Sequence, residues 1–184
     1  GHYLTVAVNI SQSSLLDPDV AAELRASLER HSVPASALEI EVTESALTDD
    51  LVGAADVLRE LSSVGVRVSI DDYGTGYSSI AHLRALPLQC IKIDRSYVAG
   101  MLGDAASTSI VRSTLDLAHD LGLEVVAEGV ETSEEFEALE ELGCDVAQGF
   151  YCARPMTSEQ VQAWIVHLGI EAARRPPRRP KGLI

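Results

Sequence analysis

The sequence predicts an α/β fold, a TIM-like (β/α) barrel with about six of its eight βα units present in these 184 residues. Short β-branched runs alternate with amphipathic segments of helical length, the order of a parallel sheet joined by crossover helices. Each run also splits by period 2 into one apolar and one polar face. An open sheet covered on both sides would read as continuously apolar, so an apolar outer face over a polar inner one favours a barrel. The runs recur roughly every thirty residues, the spacing of such a barrel.

The first run, Leu4–Asn9, sets Val6 and Val8 against Thr5, Ala7 and Asn9, and Asp17 before Pro18 marks the start of the next helix. The second, Leu38–Glu44, sets Ile40 and Val42 against Glu39 and Glu41, and its helix closes at Gly65. In the third, Val66–Asp72, the residues Val66, Val68 and Ile70 oppose Arg67, Ser69 and Asp71. It leads into the glycine-rich loop Tyr73-Gly74-Thr75-Gly76-Tyr77-Ser78-Ser79 and a short helix near Ile80–Leu86. The fourth run, Cys90–Asp94, sets Ile91 and Ile93 against Lys92 and Asp94, and Gly122 ends the helical stretch behind it. The fifth, Leu123–Gly129, precedes a capping box of Thr132 with Glu135 and a helix closed by Gly143. The sixth, Asp145–Tyr151, precedes a second capping box, Thr157 with Gln160.

With 46% hydrophobic residues the chain can bury a core, and a single domain is expected over residues 1–170. A basic Pro/Arg-rich tail at 171–184 is expected to be disordered, because its prolines oppose helix and its like charges repel. No run of about eighteen apolar residues is available to span a bilayer, and the expected compartment is cytoplasmic. A net charge of −14 argues against a nucleic-acid polymer as partner, since that needs a basic footprint. Cys90, Cys144 and Cys152 are far apart with no C-x-x-C pair, so neither a disulfide framework nor a zinc knuckle is expected.

Polar residues gather at the C-terminal ends of successive runs: Asn9, Glu41, Asp71 with Asp72, Lys92 with Asp94, Glu128 and Gln148. Barrel active sites lie at that end. Carboxylates converging in a barrel mouth repel one another unless a cation or protons neutralise them. The donors are all oxygen and the histidines lie elsewhere, which selects Mg²⁺ or Mn²⁺ over zinc or copper. Lys92 among these acids is either the partner of a reacting oxygen or a salt bridge to Asp94 or Glu128.

Val8-Asn9-Ile10-Ser11, Glu41-Val42-Thr43-Glu44-Ser45, Asp71-Asp72-Tyr73-Gly74-Thr75-Gly76-Tyr77-Ser78-Ser79, Lys92-Ile93-Asp94, Ala127-Glu128-Gly129-Val130-Glu131 and Gln148-Gly149-Phe150 resemble EAL domains in order and spacing. The resemblance runs from about Tyr3 to Leu168. It implies hydrolysis of cyclic di-GMP to linear pGpG in bacterial second-messenger signalling, by a mechanism using two ions of Mg²⁺ or Mn²⁺. By resemblance, Asn9, Glu41 and Asp71 hold one ion, and Asp71, Asp72 and Glu128 hold the second. Lys92, Glu128 and Asp94 are the implied catalytic residues, Lys92 contacting the attacking water and Asp94 supporting it. Glu44, whose strand parity differs from that of Glu41, is the implied anchor of the loop Asp72–Ser79, and Gln148 lines the nucleotide pocket. The resemblance also implies a homodimer through the segment after Asp72 and is compatible with an upstream sensor or cyclase domain.

The Glu-Ala-Leu strand that names the family, with its metal-binding Glu and a phosphate-binding Arg, would precede Asn9 and is not among these residues. The domain is therefore expected to lack its first two strands and to be a weak enzyme or none. Two other readings stand beside the phosphodiesterase. An enolase-type barrel also sets carboxylates and a K-x-D lysine at strand ends, and a catalytically inactive EAL-like module would bind cyclic di-GMP or a protein partner without turnover.

Overall fold

The computed structural model describes residues 4–47, 51–75 and 80–174, apart from the side chains of residue 82 and residues 167–174. Two compact units divide at Cys152 and Ala153. The first holds six strands: β1 (Val6–Asn9), β2 (Leu38–Thr43), β3 (Arg67–Tyr73), β4 (Cys90–Ile93), β5 (Glu124–Glu128) and β6 (Val146–Gln148). They form one sheet in chain order, and every neighbouring pair is parallel. Among the described residues β6 does not pair with β1, so six parallel strands make a half barrel with two free edges.

Parallel neighbours need long crossovers, and helices supply them. They are α1 (Gln12–Leu15), α2 (Val20–Arg30), α3 (Leu51–Ser63), α4 (Ile80–Ala85), α5 (Arg95–Gly100), α6 (Ala105–Asp120) and α7 (Ser133–Leu142). The period-2 reading holds across the four central strands. Ile40, Val42, Val68, Ile70, Ile91, Ile93, Val125 and Ala127 are each 1% exposed or less. They share one core with Ala54, Leu58 and Leu61 of α3 and with Val111, Leu115 and Ala118 of α6. The i, i+4, i+7 spacing of those helical residues makes the apolar stripe that covers the strands. The polar alternates Glu39, Glu41, Ser69, Asp71 and Lys92 are thereby confined to the other face of the sheet, where they too are buried.

Capping follows the sequence closely around α7. Thr132 and Glu135 form a reciprocal capping box, and Gly143 ends the helix at φ 86°. Gly65 and Gly122 also take positive φ where their helices end.

Three expectations are corrected. Asp17 does not cap α2: its Oδ1 accepts from the Asp19 amide at 3.0 Å, an Asx turn that delays the helix to Val20. The sixth strand stops at Gln148, because the Val130 amide donates to the Gln148 carbonyl and the Tyr151 amide to the Val130 carbonyl. That backbone is thus spent on a loop instead of a ladder. Val6 and Val8 are 60% and 45% exposed, since among the described residues β1 is an edge strand flanked only by β2.

In the second unit, α8 (Ser158–Arg174) begins with the expected pairing, Gln160 Oε1 accepting from the Thr157 amide and Thr157 Oγ1 from the Gln160 amide. Its helix includes residues 171–174, four positions assigned to the tail from sequence; the tail at 175–184 lies outside the described residues. Among the described residues, no helix is long and apolar enough to cross a membrane.

Candidate functional site

Parallel register stacks the inward side chains in two layers. Towards the N-terminal ends of the strands, Arg67 Nε donates to Glu39 Oε2 at 3.1 Å and Arg67 Nη2 to Glu124 Oε2 at 2.5 Å, tying β2, β3 and β5 together. Towards the C-terminal ends lies the second layer, centred on Lys92 of β4. Its Nζ stands 2.6 Å from Glu41 Oε1, 2.5 Å from Glu128 Oε1 and 3.3 Å from Asp71 Oδ1. Lys92 is 4% exposed, so these contacts are made away from bulk water.

Burial alone would lower the Lys92 pKa, but hydrogen bonds to Glu128 and Glu41 outweigh it and hold the ammonium charged well above its ordinary range. Glu128 is shifted upward, burial outweighing the opposing pull of Lys92. Asn9 Nδ2 donates to the other oxygen of Glu41 at 3.2 Å, which extends the constellation to β1. Asp71 Oδ1 is buried and, despite its proximity to Nζ, accepts no hydrogen bond.

Asp71 and Asp72 are consecutive, and a regular strand would point them to opposite faces. The chain avoids this in two ways. The β3–β4 register shifts between Ile70 and Tyr73, and Asp72 takes φ 54°, a left-handed conformation that Asp tolerates better than most residues. Carboxylate oxygens of Asp71, Asp72 and Glu128 consequently lie within 4.8 Å of one another. Burial, then the charges of Asp71 and Asp94, push the Asp72 pKa up.

Asp94 is not brought to Lys92. It caps α5, its Oδ1 accepting from the Ser96 amide at 3.0 Å and the Ser96 hydroxyl at 2.5 Å. Burial would raise the Asp94 pKa, but the hydrogen bonds from Ser96 and Asp72 bring it below the usual value. Glu44 stands apart from the Lys92 cluster, 3% exposed, with Oε2 accepting from the Gly74 amide at 3.2 Å. Residues 76–79 of the loop it faces lie outside the described residues. Gln148 opens onto a recess of about 220 Å³ lined also by Arg95, Glu128 and Phe150.

Arg95 and Tyr97 were not picked out from sequence, and Phe150 was named only within the Gln148-Gly149-Phe150 motif, without a role at the site. Arg95 and Tyr97 lie on α5 without any pattern that separates them from ordinary helix positions, whereas Phe150 followed directly on Gln148-Gly149 and was within reach.

Asp71, Asp72 and Glu128 fit a metal ion: the donors are hard oxygens, one buried acceptor is unused, and the acids around Lys92 outnumber its single positive charge. Fold and site together define a (β/α) barrel-type domain whose strand-end mouth is acidic, holds a charged lysine and could hold a metal.

The chain belongs to the EAL domain family, which it matches over residues 1–155. It is 39% identical over 176 residues to NbdA of Pseudomonas aeruginosa, described as a cyclic di-GMP phosphodiesterase; the match takes in 96% of this chain but 22% of that protein. The solved PaMucR phosphodiesterase in complex with c-di-GMP superposes with a TM-score of 0.82 at 41% identity, over 85% of this chain and 64% of that one. The EAL domain of DcpA from Mycobacterium smegmatis gives 0.84 at 34% identity, over 89% and 73%. Membership in this family decides against the enolase-type reading.

Proposed function

We propose that this chain hydrolyses cyclic di-GMP to linear pGpG, with two divalent ions, Mg²⁺ or Mn²⁺, held by its strand-end carboxylates. The supporting observation is the charged Lys92 set among Glu41, Asp71 and Glu128 beside the convergent oxygens of Asp71, Asp72 and Glu128. The description of NbdA as a cyclic di-GMP phosphodiesterase and the c-di-GMP complex of PaMucR support cyclic di-GMP as the substrate.

Asn9, Glu41 and Asp71 would hold one ion, and Asp71, Asp72 and Glu128 the other. Bound ions would supply Lewis-acid stabilisation at phosphorus and a nucleophile at neutral pH. Lys92, kept charged by its carboxylate partners, would donate a hydrogen bond to the attacking water and does not act as the base. The water oxygen bonds to phosphorus while the P–O3′ bond breaks, opening the ring to a 5′-phosphate and a free 3′-hydroxyl. Asp94 would act from the N-cap of α5, holding the start of that helix through Ser96. Glu44 would anchor the loop after β3 through the Gly74 amide, and Gln148 would face the nucleotide from its recess.

Incubating the chain with cyclic di-GMP in Mg²⁺, Mn²⁺ or EDTA and separating the nucleotides chromatographically tests this. Metal-dependent pGpG is expected. Binding without cleavage in either metal would replace the enzyme with a binding module, and absence of both would remove the reading. The homodimer is proposed on the same footing, and light scattering decides it.

A further inference from the structure

The turn that carries Asp72 is gripped from a second side. Tyr97 of α5 donates its phenolic hydroxyl to the Gly74 carbonyl at 2.5 Å, while the Gly74 amide is held by Glu44. The same ring packs on Gly74: a Cβ there would sit 3.0 Å from Tyr97 Cε2, and Gly74 has φ 100°. Glycine is thus favoured at 74 by its positive φ, and a side chain there would also press on the Tyr97 ring. Thr75 closes the turn on Asp72, its amide and hydroxyl both donating to the Asp72 carbonyl, at 3.3 and 2.9 Å.

Tyr97 lies in the first turn of α5, the helix that Asp94 caps. Tyr97 meets Gly74, two residues along the turn from Asp72. A residue with positive φ in a register shift has no ladder to fix it, so its orientation depends on such contacts. We infer that Tyr97 is a positioning residue: its hydroxyl fixes the 72–75 turn and thereby aims the Asp72 carboxylate at Asp71 and Glu128. The inference rests on the proposed metal role of Asp72 and adds a residue to it.

Tyr97→Phe keeps the ring on Gly74 and removes only the hydroxyl. Amide exchange at Gly74 and Thr75 and Mn²⁺ affinity by calorimetry are read on the same protein, with the melting temperature as control. The expected result is about 3–10-fold faster exchange and about 3–10-fold weaker Mn²⁺ binding, the scale of one neutral hydrogen bond, at an almost unchanged melting temperature. Unchanged exchange overturns the clamp, and faster exchange with unchanged Mn²⁺ affinity overturns its link to Asp72. If the parent chain binds no Mn²⁺, the metal reading fails, and the exchange rates still decide whether the hydroxyl holds the turn.

Discussion

Lys92 Nζ lies 2.5 Å from Glu128 Oε1, bonding β4 to β5 across the mouth of the half barrel, and its other short contact reaches Glu41 on β2. One ammonium therefore neutralises acids from the next strand, β5, and from β2, two strands back. Removing a partner from a buried ion pair costs about 3–5 kcal/mol because the remaining charge is stranded. Lys92→Met should accordingly lower the melting temperature in EDTA. Mn²⁺ should then raise it by more than it raises that of the parent, since the cation replaces the missing charge. Turnover of cyclic di-GMP should fall by roughly 10²–10⁴-fold even with metal present. Thermal melts with and without Mn²⁺, beside a turnover assay, check both; an equal metal response in parent and variant would show that Lys92 and the ion do not share a site.

Glu44 is buried and holds the Gly74 amide, yet it lies outside the group of acids that converge on Asp71. Glu44→Gln keeps an oxygen acceptor but removes the charge from a charge-assisted bond, which is about twice as strong as a neutral one. Mn²⁺ affinity should stay within about threefold of the parent, half the contribution of such a bond being small. The protease-sensitive lifetime of the segment after Gly74 and the turnover rate should both fall. A Glu44→Gln protein that loses metal binding outright would place Glu44 among the ligands.

The period-2 pattern was sufficient to place Glu41, Asp71, Lys92 and Glu128 on one face, because each sits in a regular stretch of strand where parity fixes direction. Asp72 was different. Alternation would send it away from Asp71, and only the register shift and its φ of 54° bring it back, neither of which its neighbours announce. Alternation set Asp94 on the face of Lys92, and the family resemblance implied that it supports the lysine, but the strand ends at Ile93 and Asp94 turns to cap α5. The exposure of Val6 and Val8 was likewise hidden, since apolar residues alternate in the same way on an edge strand and on a central one.

Arg67 is the counter-charge of the lower layer, bonded to Glu39 and Glu124, and Glu39 is 9% exposed. Arg67→Met would leave Glu39 buried without its partner. A loss of about 1–3 kcal/mol is expected, towards the low end because the Arg67 side chain is 38% exposed and partly screened. Urea denaturation measures it. Adding Glu39→Gln should recover part of the loss, as two members of one network do not act additively. Additive losses in the double variant would show that the two side chains are energetically independent.

Gly149 ends β6 where the chain doubles back past Val130, and a Cβ built on it would collide with the Val130 backbone nitrogen and carbonyl. Those are the groups that bond to Gln148 and Tyr151, so Gly149→Ala cannot be absorbed by a side-chain rotation. The variant should lose at least about 1–3 kcal/mol, the scale of overpacking against a fixed neighbour. The Gln148 recess should open with it. A melting temperature equal to the parent's would mean that this loop yields freely.

Asp72 sets stability against binding. Its folded pKa is raised by burial and by Asp71 and Asp94, so the folded state prefers the protonated acid. For a raised acid, the stability it favours is fully present below the unfolded value and is lost as pH rises through the folded one. At neutral pH the ionised Asp72 therefore weakens the metal-free fold. Asp72→Asn mimics the protonated form: it is neutral, nearly isosteric, and Asn accepts positive φ readily. In EDTA at pH 7 the variant should melt higher than the parent, and the gap should close as the pH is lowered and the parent's carboxyl itself takes up a proton. Mn²⁺ affinity should move the opposite way. Losing a supporting partner of a metal ligand costs about 10–100-fold, so losing a ligand should cost at least that. Melts from pH 4 to 8 in EDTA, with Mn²⁺ titrations at pH 7, test both signs; a variant less stable than the parent at pH 7 would mean that the Asp72 charge is compensated in the metal-free fold.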